Sequence, residues 1–335
     1  MDKGDFKFVE GESPIHVGLL SIAATLEASG HQVEYRNVDL NSEKEVSEAL
    51  GTKSDLIGST CFTGNFCDAR DFLRTYKQKY PSSIAVMGGP HVSLMDKEAL
   101  EDSAIDLIVR GEGERTLAEV CLGKPLHEIK GITFKRNGDI VRNPDAPFNS
   151  GLDDLPLPAY HLLGSYHSLV WHIQTAKGCP YDCSFCAEGT LNGRKVRYKS
   201  VSKTMEEIAL LEERFGAKNI FIIDDTFTLR EDHVHELCKE LKRNSHVSWD
   251  CETRADRINP NLAREMKKAR CRMVYFGVES GSQKILDRNG KNIRLEKIIG
   301  SAELLKGLGF YTTANMIVGL PGESDETASK SLAFI

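Results

Sequence analysis

Lys177-Gly-Cys-Pro-Tyr-Asp-Cys-Ser-Phe-Cys186 places three cysteines, Cys179, Cys183 and Cys186, at a Cys-x3-Cys-x2-Cys spacing. A [4Fe–4S] cube held wholly by protein takes four cysteine thiolates, so a loop supplying three leaves one iron open to a small molecule. An open iron implies chemistry rather than electron carriage alone. Structural zinc fits less well, because such sites close with a second Cys or His pair some distance away. His161, His167 and His172 all lie upstream, and Cys238, Cys251 and Cys271 are scattered over a helix, a strand and a strand start, where buried structural cysteine is the simpler reading. A redox dithiol would leave Cys179 without a role.

Downstream of the loop, short apolar runs alternate with amphipathic helical runs, the pattern of βα units around a parallel sheet. Strands are expected near 171–176, 219–224, 247–253, 273–278 and 312–318. Helices are expected at 203–215, 231–243, 260–269, 282–287 and 294–306, with Asn259-Pro260 reading as N-cap and first turn. A last helix runs from Ser324.

The cysteine signature resembles that of the radical S-adenosylmethionine (radical SAM) superfamily. The resemblance implies a partial (β/α)6 barrel in which the open iron chelates the amino and carboxylate groups of S-adenosylmethionine. The reduced cluster then cleaves a carbon–sulfur bond, and the 5′-deoxyadenosyl radical abstracts substrate hydrogen. Ligands of parallel α/β sheets gather at the carboxyl ends of strands, and the matching segments sit there. Phe221-Ile-Ile-Asp-Asp-Thr-Phe227 resembles the segment contacting the methionine amino group, offering Asp224 or Asp225. Arg254 is the candidate for the methionine carboxylate, and Phe276-Gly-Val-Glu-Ser-Gly281 resembles the ribose-contacting segment through Glu279 and Ser280. Met316-Ile-Val-Gly-Leu-Pro-Gly-Glu323, with Gly319, resembles the adenine-side element, although Asn315 replaces its first glycine and Glu323 comes one residue late. Each has a plainer alternative: helix capping for the aspartates, a surface pair for Glu279, an ordinary turn at 319–322.

The first 125 residues read as a separate α/β domain, a doubly wound parallel sheet. Helices are expected at 15–28 and 66–80, and strands at 32–35, 55–59, 84–87 and 105–109. Gly18–His31, Gly88-Gly-Pro-His-Val92 and Val109–Thr116 together resemble the cobalamin-binding domain fused to many radical SAM proteins. The loop before the first helix departs from that family's Asp-x-His-x-x-Gly, carrying Ser13-Pro-Ile-His-Val-Gly18, so His16 and His91 are the candidates near cobalt. Ser59, Thr60, Gly88 and Gly89 are expected against the nucleotide tail, because glycine lets backbone N–H groups approach it closely. Residues 126–165 read as a hairpin around Asn137-Gly138 followed by a proline-rich linker, and 166–335 as the radical SAM core.

A net charge of −6 and 40% hydrophobic residues give no dominant basic face, so nothing argues for nucleic acid. No run of about 18 apolar residues is present to span a bilayer, and no signal peptide is read. Nine cysteines suit a reducing cytoplasm. Only a weak apolar remnant, Phe6-Lys-Phe-Val9, stands where a first strand belongs, and the chain stops at Ile335 inside the helix after the fifth strand. A fragment lacking a sixth βα unit is therefore expected. The resemblance implies methyl transfer from methylcobalamin to an unactivated carbon of a small-molecule substrate, with an electron donor such as flavodoxin or ferredoxin. Radical cyclisation or rearrangement, as in tetrapyrrole-ring cyclases, and non-catalytic sensing of cobalamin or iron–sulfur status are the alternatives. Methylthio transfer is disfavoured, because Cys61, Cys67 and Cys121 make no second three-cysteine set.

Overall fold

The structure is a computed structural model that describes residues 5–10 (backbone), 16–39, 42–164 and 168–334. Ser13 to Ile15, His167 and Ile335 lie outside the described residues. The chain forms two compact units, Met1–Ser150 with Asp154–Tyr166, and Gly151–Asp153 with His167–Ile335.

In the first unit the strands β1 (Asp5–Glu10), β2 (Gln32–Asn37), β3 (Leu56–Thr60), β4 (Ile84–Gly88), β5 (Leu107–Val109), β6 (Ile132–Arg136) and β7 (Asp139–Arg142) form one sheet in the order 2-1-3-4-5-6-7. The first five are parallel, with helices α1 (Val17–Ala28), α2 (Glu43–Ala49), α3 (Phe66–Lys79), α4 (Pro90–Leu94), α5 (Asp96–Glu101) and α6 (Glu114–Cys121) in the connections. The apolar remnant Phe6–Val9 thus lies in a full strand at the interior of the sheet, paired on both sides. The order 2-1-3-4-5 puts the topological switch between β1 and β3, and ligands of such sheets bind in the crevice outside the carboxyl ends there. Ile57, Leu73, Tyr76, Met87 and Ile108 fill the core beneath α3.

The hairpin expected between the domains instead completes this sheet, β6 lying antiparallel to β5 and β7 to β6. Arg110 fixes it. Buried, its guanidinium donates to the carbonyl oxygens of Ile132 (2.7 Å) and Asn143 (2.6 Å) and to Asp145 (2.9 Å), and lies beside Asp96 and the Thr133 hydroxyl. Sequence periodicity cannot show this, since β6 and β7 alone read as a free-standing hairpin.

The second unit holds the parallel sheet β8 (Trp171–Ile173), β11 (Asn219–Ile222), β12 (Ser248–Thr253), β13 (Cys271–Glu279) and β14 (Tyr311–Met316), neighbours in chain order. A two-stranded ribbon of β9 (Ala176–Lys177) and β10 (Arg197–Tyr198) interrupts the first unit of the array. The helices are α7 (Glu188–Leu191), α8 (Val201–Phe215), α9 (Glu231–Asn244), α10 (Pro260–Lys268), α11 (Gln283–Arg288), α12 (Leu295–Gly307) and α13 (Asp325–Phe334). They start where their sequences say: the Ser200 hydroxyl accepts from Lys203 N, and the Asn259 side chain from Asn261 N and Leu262 N ahead of Pro260. Trp249, Cys251 and Cys271 are buried, as is Cys238 of α9, so the cysteines expected to be structural are core residues. Alternation along the strands turns Phe221 and Tyr275 to the other face, where their rings meet edge-on at 5.1 Å and His172 joins at 5.6 Å.

Replacing Arg110 with alanine leaves Asp96 its closer partner Arg142 at 2.9 Å but takes the guanidinium donor from the Ile132 and Asn143 carbonyl oxygens, at about 1–3 kcal/mol for each buried group left unpaired. Hydrogen exchange should show protection of the β6 and β7 amides falling by two orders of magnitude or more in Arg110→Ala, with α8 and α9 unchanged.

Candidate active site

The cysteine loop leaves the sheet at Ile173 and is tied down along its length. The Asp224 carboxylate accepts from Thr175 N (2.6 Å), Ala176 N (2.9 Å) and the Thr175 hydroxyl. Asp225 accepts from Gly178 N at 3.0 Å. Cys179 N donates to Gly193 O at 3.1 Å, and Ser184 N to Asn289 O at 3.0 Å. Arg194 reaches Tyr181 O and Asp182, while the Arg254 guanidinium stacks 3.7 Å from the centre of the Tyr181 ring. Gly178 is needed for its backbone: φ is +100°, and a Cβ there would lie 2.9 Å from the carbonyl oxygens of both Gly193 and Lys195.

Cys179 and Cys183 are half-buried and Cys186 is exposed. Burial pushes the Cys183 and Cys186 thiols up, and the cations Lys291 and Arg254 oppose this at Cys183. Among the described residues no three Cys, His, Asp or Glu side chains converge on a point that would hold a single metal ion. A cube presents a different iron to each thiolate, so its ligands stand apart around it, and three cysteines on one anchored loop fit that demand.

The residues expected near S-adenosylmethionine fall into three groups. Arg254, just past β12, fits an anionic ligand best: it is buried, its Nε and Nη2 are held by Asp256 and by Lys291 O, and its Nη1 has no hydrogen-bond partner. Buried N–H groups left unpaired cost about 1–3 kcal/mol, more for charged groups, and a carboxylate would satisfy this one. Asp225 keeps the character expected of an amino-group contact. Desolvation, with Glu188 beside it, pushes its carboxyl up to about 8, so its ionised form is disfavoured until a cation stands close by. Asp224 differs: it is 2% exposed, and its carboxylate is engaged by the backbone at 175–176.

Glu279 takes φ +69°, rare for a non-glycine residue, and pairs with the Lys291 ammonium at 2.9 Å, both largely buried. Ser280 is buried and hydrogen-bonded to the Ser331 hydroxyl at 3.1 Å. Gly319 N donates to the Glu323 carboxylate at 2.6 Å, so the late glutamate closes its own turn. Glu188, Tyr181, Lys291 and Glu252 went unread in the sequence. Glu188 stands two residues past Cys186, and Lys291 follows the Asn289-Gly290 stretch on which the loop rests. Glu252 shares the strand face of Asp250 and Arg254, and burial together with Glu188 and Glu279 pushes its carboxyl up.

In the first unit Ser59 and Thr60 end β3, which borders the switch point, and Gly88 ends the neighbouring β4. Gly89 has φ +97°, and a Cβ there would meet Cys61 O at 2.7 Å and Cys61 N at 2.8 Å, so only glycine lets the two loops approach. His91 shares a contact with the Thr63 hydroxyl at 3.2 Å and stacks on Phe66 at 4.5 Å; His16 lies 5.6 Å from the Phe62 ring.

Comparison with known proteins agrees with both halves. A family model described as Radical SAM superfamily matches residues 173–335. Residues 173–335 are a radical SAM domain. A second model, the B12 binding domain, matches residues 11–121, so the B12-binding domain precedes the radical SAM domain. An uncharacterized methyltransferase of Pyrococcus horikoshii is 32% identical over 84% of this chain and 63% of its own length. The anaerobic magnesium-protoporphyrin IX monomethyl ester cyclase of Rubrivivax gelatinosus is 30% identical over 92% of this chain and 60% of its own. The chain thus spans about three-fifths of these relatives. The structure of the cobalamin-dependent S-adenosylmethionine radical enzyme OxsB, with aqua-cobalamin and S-adenosylmethionine bound, shares the fold at a TM-score of 0.84 and 21% identity, over 99% of this chain and 52% of that one.

Gly178→Ala tests the loop directly. Steric overlap and positive φ together should cut iron bound on anaerobic reconstitution to well under half of wild type, while far-UV circular dichroism stays unchanged.

Proposed function

We propose that this radical SAM protein is a cobalamin-dependent enzyme that methylates an unactivated carbon of a small-molecule substrate. The observation carrying the proposal is the buried Arg254 Nη1, without a partner beside a loop that offers three thiolates and no fourth. When bound, the [4Fe–4S] cluster with S-adenosylmethionine supplies a 5′-deoxyadenosyl radical, and methylcobalamin supplies the methyl group. Cys179, Cys183 and Cys186 hold the cluster. Arg254 receives the methionine carboxylate, Asp225 with Glu188 the ammonium, and the Glu279–Lys291 pair and the 319–323 turn border the nucleoside. Ser59, Thr60, Gly88 and Gly89 line the corrin's tail, and His91, already engaged by Thr63 and Phe66, has less freedom to reach cobalt. Holding the reacting groups together matters because a radical is captured only by a neighbour already in place. An electron donor of the flavodoxin or ferredoxin kind and a reducing cytoplasm complete the reading. Among the described residues no helix is long and apolar enough to cross a membrane. Radical ring closure is the second reading, favoured by the 30% identical cyclase.

Anaerobic reconstitution with iron, sulfide and hydroxocobalamin should give about four irons per chain and a corrin band that survives gel filtration. Iron without corrin would turn the assignment toward radical chemistry lacking a methyl donor. Cys183→Ala should lose the iron; iron unchanged in that variant would overturn the ligand set. With reductant and S-adenosylmethionine the wild type should release 5′-deoxyadenosine. Arg254→Ala should bind S-adenosylmethionine about 10- to 100-fold more weakly, as expected for one lost charge-assisted hydrogen bond.

A further inference from the structure

Asp224 and Asp225 are adjacent acids at the end of β11, yet their surroundings differ in kind. Asp225 is only partly buried; it accepts from Gly178 N at the start of the cysteine loop and has Glu188 beside it. Asp224 is 2% exposed. Its Oδ1 accepts from two consecutive backbone N–H groups, Thr175 and Ala176, and its Oδ2 from the Thr175 hydroxyl. A carboxylate has room for about four hydrogen bonds; three are taken, and burial closes the rest. The same segment is held from its other side. Thr175 O accepts from Lys199 N at 2.8 Å, and the Lys199 ammonium pairs with the fully buried Glu207 of α8. The peptide at 175 is therefore clamped between the end of β11 and the start of α8, and Cys179 follows four residues later.

This clamp also explains why the first strand of the array stops at Ile173 rather than running to 176 as its apolar sequence suggests. Two N–H groups that would otherwise extend the strand ladder turn toward Asp224 instead, and the chain leaves the sheet in a fixed direction.

We propose that Asp224 is a positioning residue for the cysteine loop, fixing where Cys179 stands, and that of the two acids only Asp225 meets S-adenosylmethionine. The proposal rests on the reading that this loop holds an iron–sulfur cluster. It makes asparagine at 224 a near-replacement, because the amide oxygen keeps both backbone bonds and the amide NH2 can donate to the Thr175 hydroxyl. Alanine removes both acceptor oxygens, and with them three hydrogen bonds, and leaves two buried N–H groups unpaired.

The test compares wild type, Asp224→Asn, Asp224→Ala, Thr175→Val and Asp225→Asn, each reconstituted anaerobically as the full chain. Readouts are iron per chain, the electron paramagnetic resonance spectrum of the reduced cluster, the rate at which a chelator strips the iron, and the dissociation constant for S-adenosylmethionine. Asp224→Asn should match wild type in spectrum, iron and S-adenosylmethionine affinity. Asp224→Ala should bind less iron, show a shifted spectrum and lose iron about tenfold faster or more, as expected for the loss of buried acceptors. Thr175→Val, which keeps both backbone bonds, should fall between and decides the matter if the alanine variant does not fold. Asp225→Asn should keep its cluster while S-adenosylmethionine binds about tenfold more weakly. Two results would overturn the proposal: an intact cluster with S-adenosylmethionine binding weakened tenfold in Asp224→Asn, or chelation at the wild-type rate in both Asp224→Ala and Thr175→Val. A wild type that binds no iron would instead sink the cluster reading, before any variant is compared.

Discussion

A loop that presents three thiolates to one cluster has to be rigid without being regular, since neither helix nor strand spaces Cys179, Cys183 and Cys186 around a cube. Its rigidity must come from bonds to elements that are regular. The ends of β11 and β12 and the turn after α11 supply them: Asp224 and Asp225 at residues 175–178, Arg254 against Tyr181, and Asn289 against Ser184. Each anchor sits at a strand end or just past a helix, where side chains and backbone are already fixed by the core. Trp249, Val274 and Leu262, buried in the core, therefore matter to the loop by holding in place the strands and helices that carry its anchors.

Much of this was legible before any coordinates. Apart from the first strand and the β9–β10 ribbon, the strands of the second unit and helices α8 to α12 lie within a residue or two of where periodicity and capping residues put them, because each helix shows one apolar face and each buried strand an apolar run. What escaped was decided by tertiary partners. The first strand was read too long, since nothing local says that Thr175 and Ala176 bond a carboxylate 49 residues away. The hairpin around Asn137-Gly138 was legible as a hairpin but not as part of the first sheet, because the residue that docks it, Arg110, looks in sequence like any surface arginine. In the site, Asp224 and Asp225 were read together; their roles separate only once burial and bonding are known.

The charges near the loop are arranged as compensated pairs with a few left open. Lys291 holds Glu279, Asp256 holds Arg254, and Arg272 holds Asp250 at 2.7 Å. Paired buried charges add little net stability, but removing one partner is costly, so these pairs fix geometry more than they strengthen the fold. Among the described residues one nitrogen of Arg254 and the Glu252 carboxylate are left open, and Asp225, which accepts from Gly178 N, has another acid, Glu188, beside it.

That remainder has a pattern. Glu252 makes no hydrogen bond or ion pair within the described residues, and its charged neighbours, Glu188 and Glu279, are also acids, so its ionised form is disfavoured in the ligand-free chain. Asp225 is disfavoured by burial and by Glu188 in the same way. A fold retains such crowding only at a cost, and perturbed, unshared charges collect where a ligand completes them. In the proposed function S-adenosylmethionine, with its ammonium, sulfonium and carboxylate, would match in sign the two acids and the one guanidinium nitrogen left open. The complementarity lies in what the chain's own pairs leave unsatisfied, and it would vanish if Arg254 or Asp225 had been given a full set of protein partners.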